Sequence, residues 1–514
     1  MDQSNQRNQP NRPAQPNILL ITSDQHHYSC LGAVNPKLRT PALDRLAREG
    51  TLFTRAYCPN PVCTPTRASI ITGLYPSQHG AWTIGVKLPE DVPTVGQMLS
   101  ARGYATALIG KAHFQPLAST PESPSIECQP TLRDLDFWRS FHGPWYGFEH
   151  IEINRNHADE SHAGQHYAIW MEEQGLTNWR DYFQPWPRDP NQKRRRHVWD
   201  LPEQFHYSRW AAERTIAFIE RAWVANRPFF VWASFADPHP PYLVPEPWAS
   251  MYDPAEMEPG RLVPGEHEKN PPHFRKTQEE QPDFSMYRET PYANHGFQSH
   301  RHDEASLRKN MAIYYGMISL MDHHIGRMLD RLDQLGIAEN TLVVFSTDHG
   351  HFLGQHGLIA KGAFHYEDMI RVPFLVRFPG RVPAGGRSDA LQSLVDLAPT
   401  FLSVAGLPVP GHMQGLDQLP AWRGEGPIRD HVIVENRHQP TKVHLRTYVD
   451  QRYKLTYYRD QPYGELWDLE DDPGEINNLW DEPSAAALKS RLLHAALNAE
   501  LRREPTRMPR IAGA

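Results

Sequence analysis

The run Pro61-Val62-Cys63-Thr64-Pro65-Thr66-Arg67-Ala68-Ser69-Ile70-Ile71-Thr72-Gly73 puts a nucleophile-type side chain, a proline and an arginine on one tight turn that reads as entering a helix. Pro65 pre-sets φ for the first helical turn and lacks a backbone N–H that would be unpaired there. Cys63 then sits at the helix start, where backbone N–H groups and the helix dipole favour an anion. Arg67, one turn on, can bring its guanidinium back to the same spot. This arrangement suits attack on an anionic ester.

The elements that must position these groups are short apolar strands alternating with helices. Strands are expected at 17–23, 104–109, 229–235, 341–346 and 374–378, and helices at about 41–49, 208–224 and 305–335. The fold class this implies is α/β, a mostly parallel central sheet sandwiched by helices. Asp24, Lys111, Asp237 with His239, and Asp348 with His349 all follow strand ends, the edge on which open α/β sheets build ligand sites. Residues 116–202 and 240–302 read as long insertions rich in aromatic, His and Pro residues. Alternating stretches at 431–435, 445–449 and 453–458, with a helix near 484–502, imply a small C-terminal α+β subdomain over 425–514. The catalytic domain would then span 17–424, behind a disordered arm at 1–16.

The thirteen-residue run resembles the signature of the type I sulfatases of the alkaline phosphatase superfamily, C-x-P-x-R followed by two residues, an apolar pair, Thr and Gly. Gly103-Tyr104-Ala105-Thr106 and Gly110-Lys111-Ala112-His113 resemble the second signature of that family, with Ala112 where a larger residue is usual. The stretch 465–479 is similar to the family's C-terminal subdomain. The resemblance implies that Cys63 is oxidised by a formylglycine-generating maturation enzyme, and that the hydrated aldehyde attacks sulfur. It further implies that Asp24, Gln25, Asp348 and His349 hold one divalent cation together with residue 63. Arg67, Lys111 and Lys361 would bind the sulfuryl oxygens, His113 would steady the hydrate, and His239 would protonate the leaving alcohol.

Each assignment has a plainer alternative. Asp24 or Asp348 alone could be a cap or a loop carboxylate, and Lys361 alone an exposed loop lysine. Gln25 and His349 depart from the commoner Asp and Asn and resemble the phosphonate monoester hydrolases and choline sulfatases. Two carboxylates and an amide oxygen favour Ca²⁺, whereas the imidazole leaves Mn²⁺ open, with Mg²⁺ a further candidate. The function implied is hydrolysis of an aryl, sugar or small-alcohol sulfate. Its rivals are phosphonate monoester or phosphodiester hydrolysis and choline sulfate hydrolysis. His26, His27, His79, His157 and His162 could line the pocket, and Trp145-Tyr146 or Trp186 could stack on a ring of the substrate.

The composition agrees with an enzyme of this kind. The 514 residues carry a net charge of -7, which argues against a nucleic-acid partner, and 39% are hydrophobic. The run Lys193-Arg194-Arg195-Arg196 reads as a solvated loop or a dock for a polyanionic substrate. Four irregularly spaced cysteines form no disulfide framework or zinc pattern. No signal peptide or membrane-length apolar run is evident, so a cytoplasmic protein is expected, with a homo-oligomer left open.

Overall fold

The computed structural model describes residues 15–155, 162–183, 197–287, 300–437, 442–504 and 511. Residues 1–14 of the expected arm, His157, Trp186 and the basic run at 193–196 lie outside them.

The central sheet has eight strands: β1 (Asn17–Ser23), β2 (Thr51–Phe53), β3 (Ala105–Gly110), β4 (His150–Ile153), β5 (Phe229–Ser234), β6 (Thr341–Thr347), β7 (Leu375–Arg377) and β8 (Gly386–Ser388), in the order β8-β2-β7-β6-β1-β5-β3-β4. The five strands β6, β1, β5, β3 and β4 run parallel. Every residue of β1 is buried, as expected of a strand covered on both faces.

Alternate side chains of β1 feed two separate cores. Ile18 and Leu20 pack with Ile70, Ile71 and Phe401, from α2 (Cys63–Thr72) and α5 (Leu397–Val404). Leu19 and Ile21 pack on the other face with Leu43, Ile219 and Met321. These come from α1 (Pro41–Glu49), α3 (Tyr207–Val224) and α4 (Glu304–Gln334). The helices thus sandwich the sheet.

The strand expected at 374–378 is β7, which runs antiparallel to both β6 and β2 in the otherwise mostly parallel sheet. One sequence expectation needs correction. The supposed insertion 116–202 contains β4, the edge strand paired with β3. Its four residues, His-Ile-Glu-Ile, are too short a pattern to stand out in that aromatic stretch.

The C-terminal subdomain is an antiparallel sheet of β9 (Val432–Arg437), β10 (His444–Val449), β11 (Tyr453–Tyr458) and β12 (Gly464–Asp468). Helix α6 (Ala486–Arg502) packs Leu492 and Ala496 against Ile433, Leu455 and Leu466. The sheet is fastened to the loop before α2, where Glu435 N–H donates to Pro59 O at 2.8 Å and Asn60 Nδ2 donates to Glu435 O at 2.7 Å. That junction sets the position of the Cys63 turn.

Candidate active site

Four strand ends and one helix start converge at the carboxyl edge of the sheet. Asp24 follows β1, Lys111 follows β3, His239 lies beyond β5, Asp348 and His349 follow β6, and Cys63 is the first residue of α2. Because β1 pairs directly with β5 and β6, residues more than 200 positions apart in sequence become neighbours. Helix α2 ends at Gly73, whose φ of 66° makes a left-handed C-cap. His79 steadies that helix by contacts with Ser69 Oγ at 3.1 Å and Pro65 O at 3.2 Å.

Ligand atoms of Asp24, Cys63, Asp348 and His349 all lie within 4.8 Å of one another, and all four residues are buried. Cys63 Sγ is 3.2 Å from His349 Nε2 and 3.6 Å from Asp24 Oδ1. Lys361 Nζ donates to Cys63 Sγ at 3.2 Å and lies 3.1 Å from His239 Nε2. Lys111 pairs with Asp24 Oδ2. Arg67, wholly buried, bonds Asp348 Oδ2 through Nε at 2.9 Å, and Lys111 O and Ser234 Oγ through Nη1. Asp348 Oδ1 accepts the N–H groups of Gln25 and His349, each at 3.0 Å.

Burial and neighbouring charge set the protonation states. Burial would raise the Asp24 carboxyl, but Lys111, Arg67, Lys361 and His349 outweigh it and hold Asp24 well below the usual range. Burial, with Asp24, pushes the Cys63 thiol up against Lys111 and Lys361, so an unaltered thiol stays protonated. Burial lowers His349 to about 4. His113 and His239 fall well below the ordinary histidine value, first through burial and then through nearby cations, Arg155 and Lys111 for His113, Lys361 and Lys111 for His239. Both imidazoles are therefore neutral before an anion arrives.

The same pocket holds polar atoms that are buried and have no hydrogen-bond partner among the described residues: Gln25 Oε1, Thr64 Oγ1, Arg67 Nη2 and His113 Nδ1. Buried polar atoms are nearly always paired, so this concentration marks where a ligand belongs. Two carboxylates, an amide oxygen and an imidazole form a donor set that fits a hard divalent cation.

All ten predicted site residues thus fall in or beside one cluster, although Lys111 reaches Asp24 before any substrate oxygen. Other expectations resolve differently. The Asp237 carboxyl turns away to Tyr207 Oη and Ser208 Oγ, at 2.7 and 2.5 Å, and burial raises it to about 7. His26 bonds Cys30 O and Ser23 Oγ, and His27 pairs with Asp368, so both are structural. Trp145 and Tyr146 are buried against Phe114 and Tyr146 bonds Leu88 O, which makes them packing residues.

Sequence reasoning missed Glu127. Its carboxylate accepts the consecutive N–H groups of His113, Phe114 and Gln115 at 2.8–3.1 Å and is paired with Arg155, fixing a turn in which His113 has φ 61°. No local motif announces it. His351 was also missed, though it stands only two positions beyond His349.

Comparison with known proteins agrees with this geometry. A family model described as Sulfatase matches residues 16–407, and one described as N-sulphoglucosamine sulphohydrolase, C-terminal, matches residues 354–503. An arylsulfatase of Clostridium perfringens is 28% identical over 487 residues, covering 90% of each chain. An N-acetylglucosamine-6-O-sulfatase of Bacteroides thetaiotaomicron is 27% identical over 533 residues, covering 93% of this chain and 85% of the relative. The solved phosphonate monoester hydrolase SpPMH from Silicibacter pomeroyi shares the fold, with a TM-score of 0.77 at 24% identity over 96% of both chains.

Proposed function

This chain belongs to the sulfatase family and is a sulfuric ester hydrolase acting on sulfate monoesters, and from that premise we propose that residue 63, matured from cysteine to formylglycine, is its nucleophile. Asp24, Gln25, Asp348 and His349 hold one divalent cation beside it, with Ca²⁺ favoured over Mn²⁺ or Mg²⁺ by the preponderance of oxygen donors. The observation that carries this reading is the buried Asp24–Cys63–Asp348–His349 cluster at the start of α2.

Hydrated formylglycine would supply the hydroxyl that attacks sulfur. The cation would favour its deprotonated form and neutralise charge on the sulfuryl group. The chain's own residues do the rest. Arg67 is anchored by Nε and Nη1, which leaves Nη2 to donate to a sulfuryl oxygen. Lys111 and Lys361 add positive charge where negative charge grows in the transition state. Lys361 Nζ and His239 Nε2, 3.1 Å apart, share the proton that passes to the departing ester oxygen. His113, neutral and with Nδ1 unpaired, takes up the proton of the second half-reaction.

Cys63 has no exposed surface in the fold, so the maturation enzyme must reach it before folding is complete. None of the four cysteines is joined in a disulfide. We propose a cytoplasmic location, which cell fractionation tests. Among the described residues no helix is long and apolar enough to cross a membrane.

Peptide mass spectrometry of purified, active enzyme tests the nucleophile. The peptide carrying residue 63 should hold the aldehyde or its hydrate, and a plain thiol in fully active protein would refute the scheme. A second reading, phosphonate monoester or phosphodiester hydrolysis, is favoured by Gln25 and His349, whereas Lys111 and His113 favour sulfate. Turnover of an aryl sulfate against an aryl phosphonate separates them, and sulfate is expected to lead.

A further inference from the structure

The amide of Gln25 has two ends of nearly equal size, and only the oxygen can ligate a cation. Its Nε2 lies 2.8 Å from His351 Nδ1, while Oε1 is buried without a hydrogen-bond partner among the described residues. An amide nitrogen only donates, so His351 Nδ1 accepts and the ring proton sits on Nε2. That proton is donated to Tyr242 Oη, 2.8 Å away.

The ring itself has little freedom. His351 is fully buried and stacked on Tyr314, with centroids 4.8 Å apart. Tyr314 Oη in turn donates to the Gln25 carbonyl at 2.8 Å and accepts His27 N–H at 2.9 Å. Gln25 has φ 60°, a left-handed conformation that costs a non-glycine residue energy, and its N–H is tied to Asp348. The carbonyl and the side-chain amide of Gln25 are thus held by Tyr314 and His351, outside the ligand cluster, while its N–H is held by Asp348 within it.

We infer that His351 is a positioning residue for the cation seat: by accepting from Gln25 Nε2 it fixes the amide so that Oε1 is the end left free for the metal. The reversed amide would require the proton on Nδ1 and would leave a donor-only NH₂ group at the cation. Tyr242 stands three residues after His239, so the ring that orients the cation ligand also touches the loop carrying the leaving-group acid. The inference rests on the reading of Gln25 as a ligand.

The test is a double-mutant cycle read by calorimetry of Ca²⁺ binding to the purified full chain. His351→Phe keeps the stack on Tyr314 and removes the ring nitrogens. It should weaken binding about tenfold or more where Gln25 is present, and by less than about twofold in a Gln25→Ala background. His351→Asn, which keeps an acceptor opposite Gln25 Nε2, should stay within about threefold of wild type. An equal loss in both backgrounds, no loss with Gln25 present, or an Asn variant as weak as the Phe variant would each overturn the inference. Gln25→Ala binding as tightly as wild type would remove the ligand reading itself, and the inference with it.

Discussion

Asp396–Arg429 and Asp348–Arg67 are both buried aspartate–arginine pairs, yet they are completed differently. Arg429 grips Asp396 with two nitrogens, and the same carboxylate also accepts Leu416 N–H at 2.8 Å and Gln418 Nε2 at 2.9 Å. Arg67 holds Asp348 through Nε alone and keeps Nη2 unpaired, beside the unpaired atoms of Gln25, Thr64 and His113. The first pair is closed and can only stabilise. The second retains capacity at a real energetic cost, which is what a site poised for an anion and a cation requires.

The widest separation between the regions should appear on removing the nucleophile. Cys63→Ala should lower sulfate ester turnover by roughly 10⁴-fold or more while the protein still melts cooperatively. Next come the two arginines. Arg67→Gln should reduce kcat/KM by about 10²–10³-fold. Arg429→Leu should instead cost about 3–5 kcal/mol of stability, because it strands a buried carboxylate, and leave turnover of the folded fraction unchanged. Denaturant titration alongside kinetics checks both, and a stability loss without a rate loss at Arg67 would erase the contrast.

A pH prediction probes the closed region further. Burial alone would raise Glu435, but Arg503 and Arg446 outweigh it and lower it to about 2 from 4.5. Because the folded value is depressed, the stabilisation is present above about 4.5 and is lost as pH falls toward 2. It is worth about 3 kcal/mol. Urea unfolding between pH 5 and 2.5 should show this decline in wild type and a flatter profile in Glu435→Gln. The smallest effect concerns the open region. Chelation should lower stability by about 2.7 kcal/mol relative to cation at 100 times its Kd, and thermal melts of Asp24→Asn should show no such dependence.

What the sequence revealed and concealed follows the same division. The Cys63–Arg67 turn, the carboxylates after β1 and β6 and the Lys111–His113 pair were legible because each lies beside an apolar strand or in a compact motif. Helix α1 matched its expected bounds, and α3 and α4 fell within one residue of theirs, through plain helical spacing. Strand β4 was hidden because four residues cannot establish a period, and β7 gave no hint of direction because strand polarity is a tertiary property. Glu127 and His351 act by hydrogen bonds to backbone or to the Gln25 amide, and such roles leave no spacing to read.

The central claim is that the unpaired atoms around residue 63 form a joint seat for a cation and a sulfuryl group. Anomalous diffraction from crystals of the matured enzyme with bound cation tests it directly. The account predicts one anomalous peak among Asp24, Gln25, Asp348, His349 and a formylglycine at position 63. A peak elsewhere, or an active enzyme with an intact thiol at that position, would contradict it.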